Sequence, residues 1–250
     1  MANILIDIGN TSAKIAIMDA DKMLHLEHKA ETWHNIFRRL SAQYPIHRCI
    51  ISSVAGEDPE LIPALQSCSI PTLLLGIKAP ADGGGTSKIV HYNVSDCPLK
   101  NIPPEYGSDR LAADLGAWAR KPHHTLLIID AGTCITYDLI SREGELIGGV
   151  ISPGIQLRLR SMHEHTALLP LLQAEADTPL MGQDTKTSMM SSAIHGTRFE
   201  AEGYIRHLLA CYPDLQIFLT GGDTLTLSDD LLPHVIHDPH LLLKGLQSLG

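Results

Sequence analysis

Ile4-Leu5-Ile6-Asp7-Ile8-Gly9-Asn10-Thr11 stands near the start of the chain, and a near copy, Ile128-Ile129-Asp130-Ala131-Gly132-Thr133, returns about half the chain length later. Each begins as a short apolar run that reads as a strand. Each run ends in Asp-x-Gly, where a residue without a β-carbon lets the backbone turn sharply. After the first turn, Ala13 to Met18 alternates as an outgoing strand, Asp19-Ala20-Asp21-Lys22 turns again, and a third strand follows. After the second, Cys134 to Ile140 is the outgoing strand, Ser141-Arg142-Glu143-Gly144 the turn, and Glu145 to Ile151 the third strand. Strand, tight turn, strand, turn, strand is a meander rather than a βαβ start. Loops and flanks agree together, which makes the match an internal repeat.

Outward from these loops the pattern is mixed α/β. Trp33 to Gln43 has helical spacing through Ile36, Phe37 and Leu40, and Arg48 to Val54 reads as a buried strand. Pro59 to Ser67 reads as a helix and Thr72 to Leu75 as a strand. Asp82-Gly83-Gly84-Gly85-Thr86-Ser87 is read as a surface loop rather than a phosphate loop. No strand leads tightly into it and no Gly-Lys-Ser/Thr follows. Ser108 to Arg120 places Leu111, Ala112, Leu115 and Trp118 on one helix face, and Lys121-Pro122-His123-His124 ends it as a hinge. The second half continues with a helix near Gln156–Met162, a loop to Pro170, and a long helix from Thr185 to Cys211 with Gly196 or Gly203 as a point of bending. Gln216 to Thr220 is a buried strand ending at Gly221-Gly222-Asp223, and Pro239 to Leu249 a closing helix. Two tandem domains are expected, residues 1–120 and 121–250, each a mixed five-stranded sheet flanked by helices.

Composition narrows the partners. The chain has 250 residues, 44% hydrophobic against 19% charged, which is ample for a packed core and unlike a disordered chain. A formal charge of −9 argues against general nucleic-acid binding, which needs a basic face. No apolar run approaches the roughly 18–20 residues of a membrane helix. The N-terminal residues lack the basic n-region and small-residue cleavage site of a signal peptide. Five scattered cysteines without a Cys-x-x-Cys pair suggest neither a disulfide framework nor a zinc site. His123-His124, and His163 with His165, lack a third ligand at suitable spacing and are read as surface histidines. The expectation is a soluble, cytoplasmic protein with no nucleic-acid or membrane partner.

The loops carry the chemistry. Beyond Gly9, the amides and hydroxyls of Asn10, Thr11 and Ser12 can form an anion-binding concavity. Asp7, at the strand end, suits a hydrated Mg²⁺, which uses one or two carboxylates plus substrate phosphates and keeps several waters. Lys14 on the outgoing strand adds a cation for the transferring group. One such loop is equally an ordinary hairpin turn. Two loops, with Thr220-Gly221-Gly222-Asp223 after a later strand, point to a bound nucleotide.

The arrangement resembles the superfamily of acetate kinases, sugar kinases, heat-shock chaperones and actin, in which two ribonuclease H-like domains close on ATP. Within it the chain resembles the type III pantothenate kinases. The motifs are D-I-G-N-T-S-A-K at 7–14, P-P-E-Y-G-S-D-R-L at 103–111, D-A-G-T-C-I-T-Y-D at 130–138 and G-G-V-I-S-P-G at 148–154. T-A-L-L-P at 166–170, D-T at 184–185, T-G-G-D at 220–223 and L-L-L-K-G-L at 241–246 complete them, in the family's order. G-S-D-R discriminates, because the phosphate loops are shared across the superfamily.

The resemblance implies ATP-dependent phosphorylation of pantothenate, the first step toward coenzyme A. It assigns ATP to Asp7, Ile8, Gly9, Asn10, Thr11, Ser12, Ala13 and Lys14, with Thr133, Gly221 and Gly222 from the second half. Pantothenate falls to Gly107, Ser108, Asp109 and Arg110, and to Thr185 offered across a subunit boundary of a homodimer. Asp109, at a helix N-terminus beside Arg110, becomes the general base. Arg110 suits an anionic or strongly polar group. Asp7 becomes the Mg²⁺ ligand, directly or through water, and Asp130 the ligand of a monovalent cation, K⁺ or NH₄⁺. Each has a plainer reading: Asp109 and Thr185 as helix caps, Arg110 as a surface charge, Gly221-Gly222 as a turn. The chain also departs from the family. Lys100 stands where a tyrosine is usual, with Tyr92 and Tyr106 nearby, and Asp184 and Ser192 replace asparagine and glycine. Two alternatives therefore stand beside pantothenate kinase: another small-molecule kinase of the superfamily, or a non-catalytic nucleotide-binding regulator.

Overall fold

The computed structural model describes residues 1–9, 12–55, 58–75, 89–175, 177–223 and 225–250. Asn10 and Thr11 of the first loop, and the glycine-rich stretch 82–87, lie outside the described residues. The chain divides into two compact units, Met1–Arg120 with His240–Gly250, and Lys121–Pro239.

The first unit begins with the meander β1 (Ala2–Ile8), β2 (Ala13–Asp19) and β3 (Lys22–His28), followed by α1 (Trp33–Gln43) and β4 (Ile46–Ser53). Then come α2 (Leu61–Cys68), β5 (Thr72–Leu75), β6 (Ile89–His91) and α3 (Ser108–Arg120). The sheet order is β3-β2-β1-β4-β5-β6, with β1 antiparallel to β2 and parallel to β4. Central β1 is covered on both faces, so its apolar run is nearly unbroken, whereas edge strand β3 alternates exposed and half-buried residues. On one face Ile4, Ile6, Ile8, Ile15 and Ile17 meet Trp33, Ile36, Phe37 and Leu40 of α1. Burying each such side chain fully contributes about 1.5–3 kcal/mol. Thr32 caps α1 by accepting from the Asn35 amide, and the buried Trp33 indole donates to Asp58 at 2.6 Å.

The second unit repeats the plan. It comprises β7 (Leu126–Ala131), β8 (Cys134–Ile140), β9 (Leu146–Pro153), α4 (Ile155–Glu164), α5 (Thr185–Cys211), β10 (Gln216–Gly221) and β11 (Val235–His237). Its sheet, read β9-β8-β7-β10-β11, matches β3-β2-β1-β4-β5 strand for strand. Helix α5 continues through Gly196 and Gly203, and its Ala201 and Ile205 pack on Leu127, Ile129 and Tyr137.

Two expectations need correction. Among the described residues the first sheet has six strands, not five, because Ile89-Val90-His91 pairs parallel to β5, a run too short to show a period. The final helix, α6 (Leu241–Gln247), belongs with the first unit although it follows the second. It packs on α3, β1 and β4, and Asn3 donates to Gln247 at 3.2 Å. The approach is backbone to backbone. A β-carbon on Gly245 would lie 1.7 Å from the Ala112 carbonyl oxygen, and one on Gly116 2.3 Å from that of Leu241. Glycine in both helices is what allows α3 to lie this close to α6.

All five cysteines are free. Among the described residues no helix is long and apolar enough to cross a membrane.

Candidate active site

Asp7 lies half-buried at the end of β1, in register with Lys14 of β2 and Ser52 of β4. Directly paired residues share a sheet face, so the carboxylate has the Lys14 side chain on one flank and the Ser52 hydroxyl on the other. The Gly9 amide donates to the Ser12 carbonyl at 3.0 Å and closes the turn.

Ser52 is the joint to the G-S-D-R motif. Its hydroxyl donates to Ser108 Oγ at 3.0 Å, and Ser108 Oγ donates to the Ser53 carbonyl, also at 3.0 Å. Both serines of the first bond are buried, so each hydroxyl needs a protein partner. The first residue of α3 is thereby tied to the strand beside Asp7. Asp109 follows, half-buried, and its Oδ1 accepts the Arg110 amide at 2.7 Å. A β-carbon at Gly107 would come 2.6 Å from that same oxygen, so the glycine leaves room for the carboxylate to fold over the helix start. The Arg110 guanidinium lies over the Tyr106 ring at 4.4 Å from its centroid. Lys100, at the position of the family tyrosine, is exposed.

In the second unit Asp130 ends β7, in register with Thr136 of β8 and Thr220 of β10. The Gly132 amide donates to the Cys134 carbonyl at 3.0 Å, so this turn closes one residue sooner than the first. Thr133 is exposed at its tip. Two other loops seat on it through backbone. The Gly154 amide donates to the Thr133 carbonyl at 3.0 Å, and a β-carbon on Gly154 would fall 2.1 Å from the Gly132 oxygen. Arg158 holds this corner, donating to the Pro153 carbonyl, Ser152 Oγ and Glu200. From the other side the Asp223 amide donates to the Ala131 carbonyl at 2.9 Å. Gly221 adopts φ +105°, and a β-carbon there would stand 2.0 Å from the Ala131 oxygen.

Beside Gly221, Gly222 and Asp223 opens a cavity of about 380 Å³ with an apolar wall from Leu225, Leu227, Leu232 and Val235. That volume lies in the range of small-molecule sites. Burial pushes the Asp223 carboxyl above its ordinary value.

Thr185 is the exposed first residue of α5, and the cap is its neighbour. Asp184 Oδ1 accepts the Thr187 amide at 2.8 Å, so the cap reading of Thr185 passes to Asp184. Hydrogen bonds from the Thr187 amide and hydroxyl hold the Asp184 carboxyl below its ordinary value. His163 lies 2.7 Å from the Leu169 carbonyl, a local contact rather than a ligand set.

Asp7 stands in register with Ser52, and Asp130 with Thr136 and Thr220, so each carboxylate has hydroxyl-bearing neighbours on its sheet face, the oxygen chemistry that a hard cation with retained waters uses. Sequence reading missed Ser52 and Ser53. The signal was present: two serines follow the apolar, buried run Cys49-Ile50-Ile51 at the end of the strand.

Comparison with known proteins gives a consistent result. The family described as type III pantothenate kinase matches residues 3–207. The type III pantothenate kinase of Phocaeicola vulgatus is 35% identical over 99% of this chain and 97% of its own. That of Christiangramia forsetii is also 35% identical, over 98% and 96%. A candidate 2-dehydro-3-deoxygalactonokinase from Sinorhizobium meliloti superposes with a TM-score of 0.57 at 14% identity, over 98% of this chain and 97% of that one. A candidate Baf family transcriptional activator from Campylobacter jejuni superposes with 0.54 at 20% identity, over 98% and 96%. At these identities the two structures speak to the fold alone. The coverage and identity of the sequence relatives carry more: the chain belongs to the type III pantothenate kinase family.

Proposed function

We propose that this chain transfers the γ-phosphoryl group of ATP to the primary hydroxyl of pantothenate, the first step toward coenzyme A. The observation that carries the reading is the buried Ser52–Ser108 bond, which ties the start of the G-S-D-R helix to the strand beside Asp7. The hydroxyl oxygen bonds to the γ-phosphorus as the bond from phosphorus to the ADP oxygen breaks, and Asp109 takes the proton. Phosphoryl transfer of this kind depends mostly on positioning and charge neutralisation. Arg110 orients the substrate carboxylate, with Gly107, Ser108 and Thr185 as further contacts. Lys14 and the amides after Gly9 take the phosphates, and Thr133 the remaining phosphate contact. Gly221 and Gly222 accept the nucleoside against the neighbouring apolar wall. Asp7 holds Mg²⁺, which when bound neutralises phosphate charge. Asp130 with Thr136 and Thr220 holds K⁺ or NH₄⁺. ATP as donor implies the cytoplasm.

The test uses purified protein with ATP, Mg²⁺, K⁺ and a panel of hydroxyl acceptors including pantothenate. ADP and phosphopantothenate are expected in equal amounts, and exchanging K⁺ for Na⁺ is expected to slow turnover several-fold. No pantothenate-dependent ADP would remove the reading; turnover indifferent to K⁺ would remove the Asp130 assignment alone.

The homodimer reading is supported by apolar side chains that the second unit leaves exposed, among them Ile151 at 63%, Met181 at 80% and Leu168 at 92%. Light scattering is expected to give twice the chain mass at micromolar concentration; a monomer there would exclude it.

A further inference from the structure

We propose that Tyr106 and Asp114 form a positioning pair that fixes the Arg110 guanidinium for a carboxylate-bearing substrate. The proposal rests on the reading of Arg110 as a substrate contact and adds a determinant of specificity to it. The Tyr106 ring lies beneath the guanidinium, 4.4 Å from ring centroid to Cζ. The Tyr106 hydroxyl donates to Asp114 Oδ2 at 2.7 Å. Asp114 sits one helical turn beyond Arg110 on α3 and is fully buried, so its position is set by the helix. The other end of Tyr106 is set by a turn, its amide donating to the Pro103 carbonyl at 3.0 Å. The ring is therefore held at both its backbone and its hydroxyl, and it holds Arg110 in turn.

An arginine carries several rotatable bonds, and ordering them on substrate binding costs affinity. Stacking on a fixed ring imposes that order before the substrate arrives. It engages the face of the guanidinium, whereas a carboxylate binds in plane along the edge, so one side chain accommodates both. Tyr92, the other tyrosine of this segment, has its hydroxyl beside Cys97, where burial pushes both groups above their ordinary values. Tyr106 is thus the tyrosine that serves Arg110.

The test is steady-state kinetics on pantothenate and on its neutral analogue with a hydroxymethyl group in place of the carboxylate. The proteins are the unmodified chain, Arg110→Met, Tyr106→Leu, Tyr106→Phe and Asp114→Asn, each with a melting curve. Tyr106→Leu is expected to raise KM for pantothenate about tenfold, with kcat within about twofold, and to shrink the preference for the carboxylate by the same factor. Tyr106→Phe and Asp114→Asn keep the ring but alter its anchor, and intermediate losses are expected. A ring that serves only the fold would change the melting temperature or kcat and leave the carboxylate preference intact, which would overturn the proposal. If Arg110→Met loses the preference and Tyr106→Leu keeps it, the pair is rejected while Arg110 remains a substrate contact. If neither variant changes it, both assignments fall.

Discussion

Asp109→Asn is expected to lower kcat for pantothenate by about 10²- to 10³-fold while leaving ATP binding and the melting temperature nearly unchanged. The substitution separates two roles that the geometry allows. Asp109 accepts the Arg110 amide at the start of α3, so a purely structural role as a helix-end acceptor is real. Asparagine serves that role about as well as aspartate, with the same shape and an oxygen in the same place. It cannot take a proton from a hydroxyl. A silent substitution would therefore reduce Asp109 to its structural bond, whereas a large loss of kcat with a normal melting curve assigns it the proton. Alanine is less informative, since it removes both roles together. Pre-steady-state measurement of the first turnover locates the loss in the chemical step rather than in product release.

Gly221→Ala is expected to destabilise the second unit by about 2–5 kcal/mol, the combined effect of a left-handed φ for a residue with a side chain and of overlap with backbone. The new β-carbon would stand 2.0 Å from the Ala131 carbonyl oxygen, and backbone at that distance cannot rotate away as a side chain would. The Asp223 amide bond to the same carbonyl would break as the loops part. In a protein of this size each kcal/mol moves the melting temperature by roughly 2–4 °C, so a fall of about 10 °C is the midpoint. KM for ATP is expected to rise as well, because the displaced loop borders the cavity assigned to the nucleoside. Gly222→Ala provides the contrast. A β-carbon there meets nothing within 4 Å, so its melting temperature is expected to stay within about a degree of the unmodified chain. Equal melting curves for the two variants would refute the close-approach argument at Gly221.

Much of the architecture was legible in the sequence for a local reason. Apolar alternation and Asp-x-Gly turns are short-range signals, and the two meanders are built from neighbours in the chain. The helix from Ser108 to Arg120 was readable likewise, because its buried face is written in the spacing of Leu111, Ala112 and Leu115. Where the signal was short or the partner distant, the reading stopped. Ile89-Val90-His91 is too brief to show a period and became a sixth strand only by pairing with β5. The final helix read correctly as a helix, yet nothing local says that Gly245 must meet Ala112 and Gly116 of the first unit.

The doubled Asp-x-Gly loop was likewise a property of the sequence, while the difference in what surrounds each copy was not. The first has Lys14 and Ser52 beside its aspartate, and Ser52 brings in Ser108. The second has threonines beside its aspartate and glycines 154 and 221 seated on its carbonyls. Strand composition determines which residues are buried and where the chain turns. Register and close backbone approach, set only when distant segments pack, decide which side chains meet, and with them the neighbours of Asp7, Asp130 and Arg110.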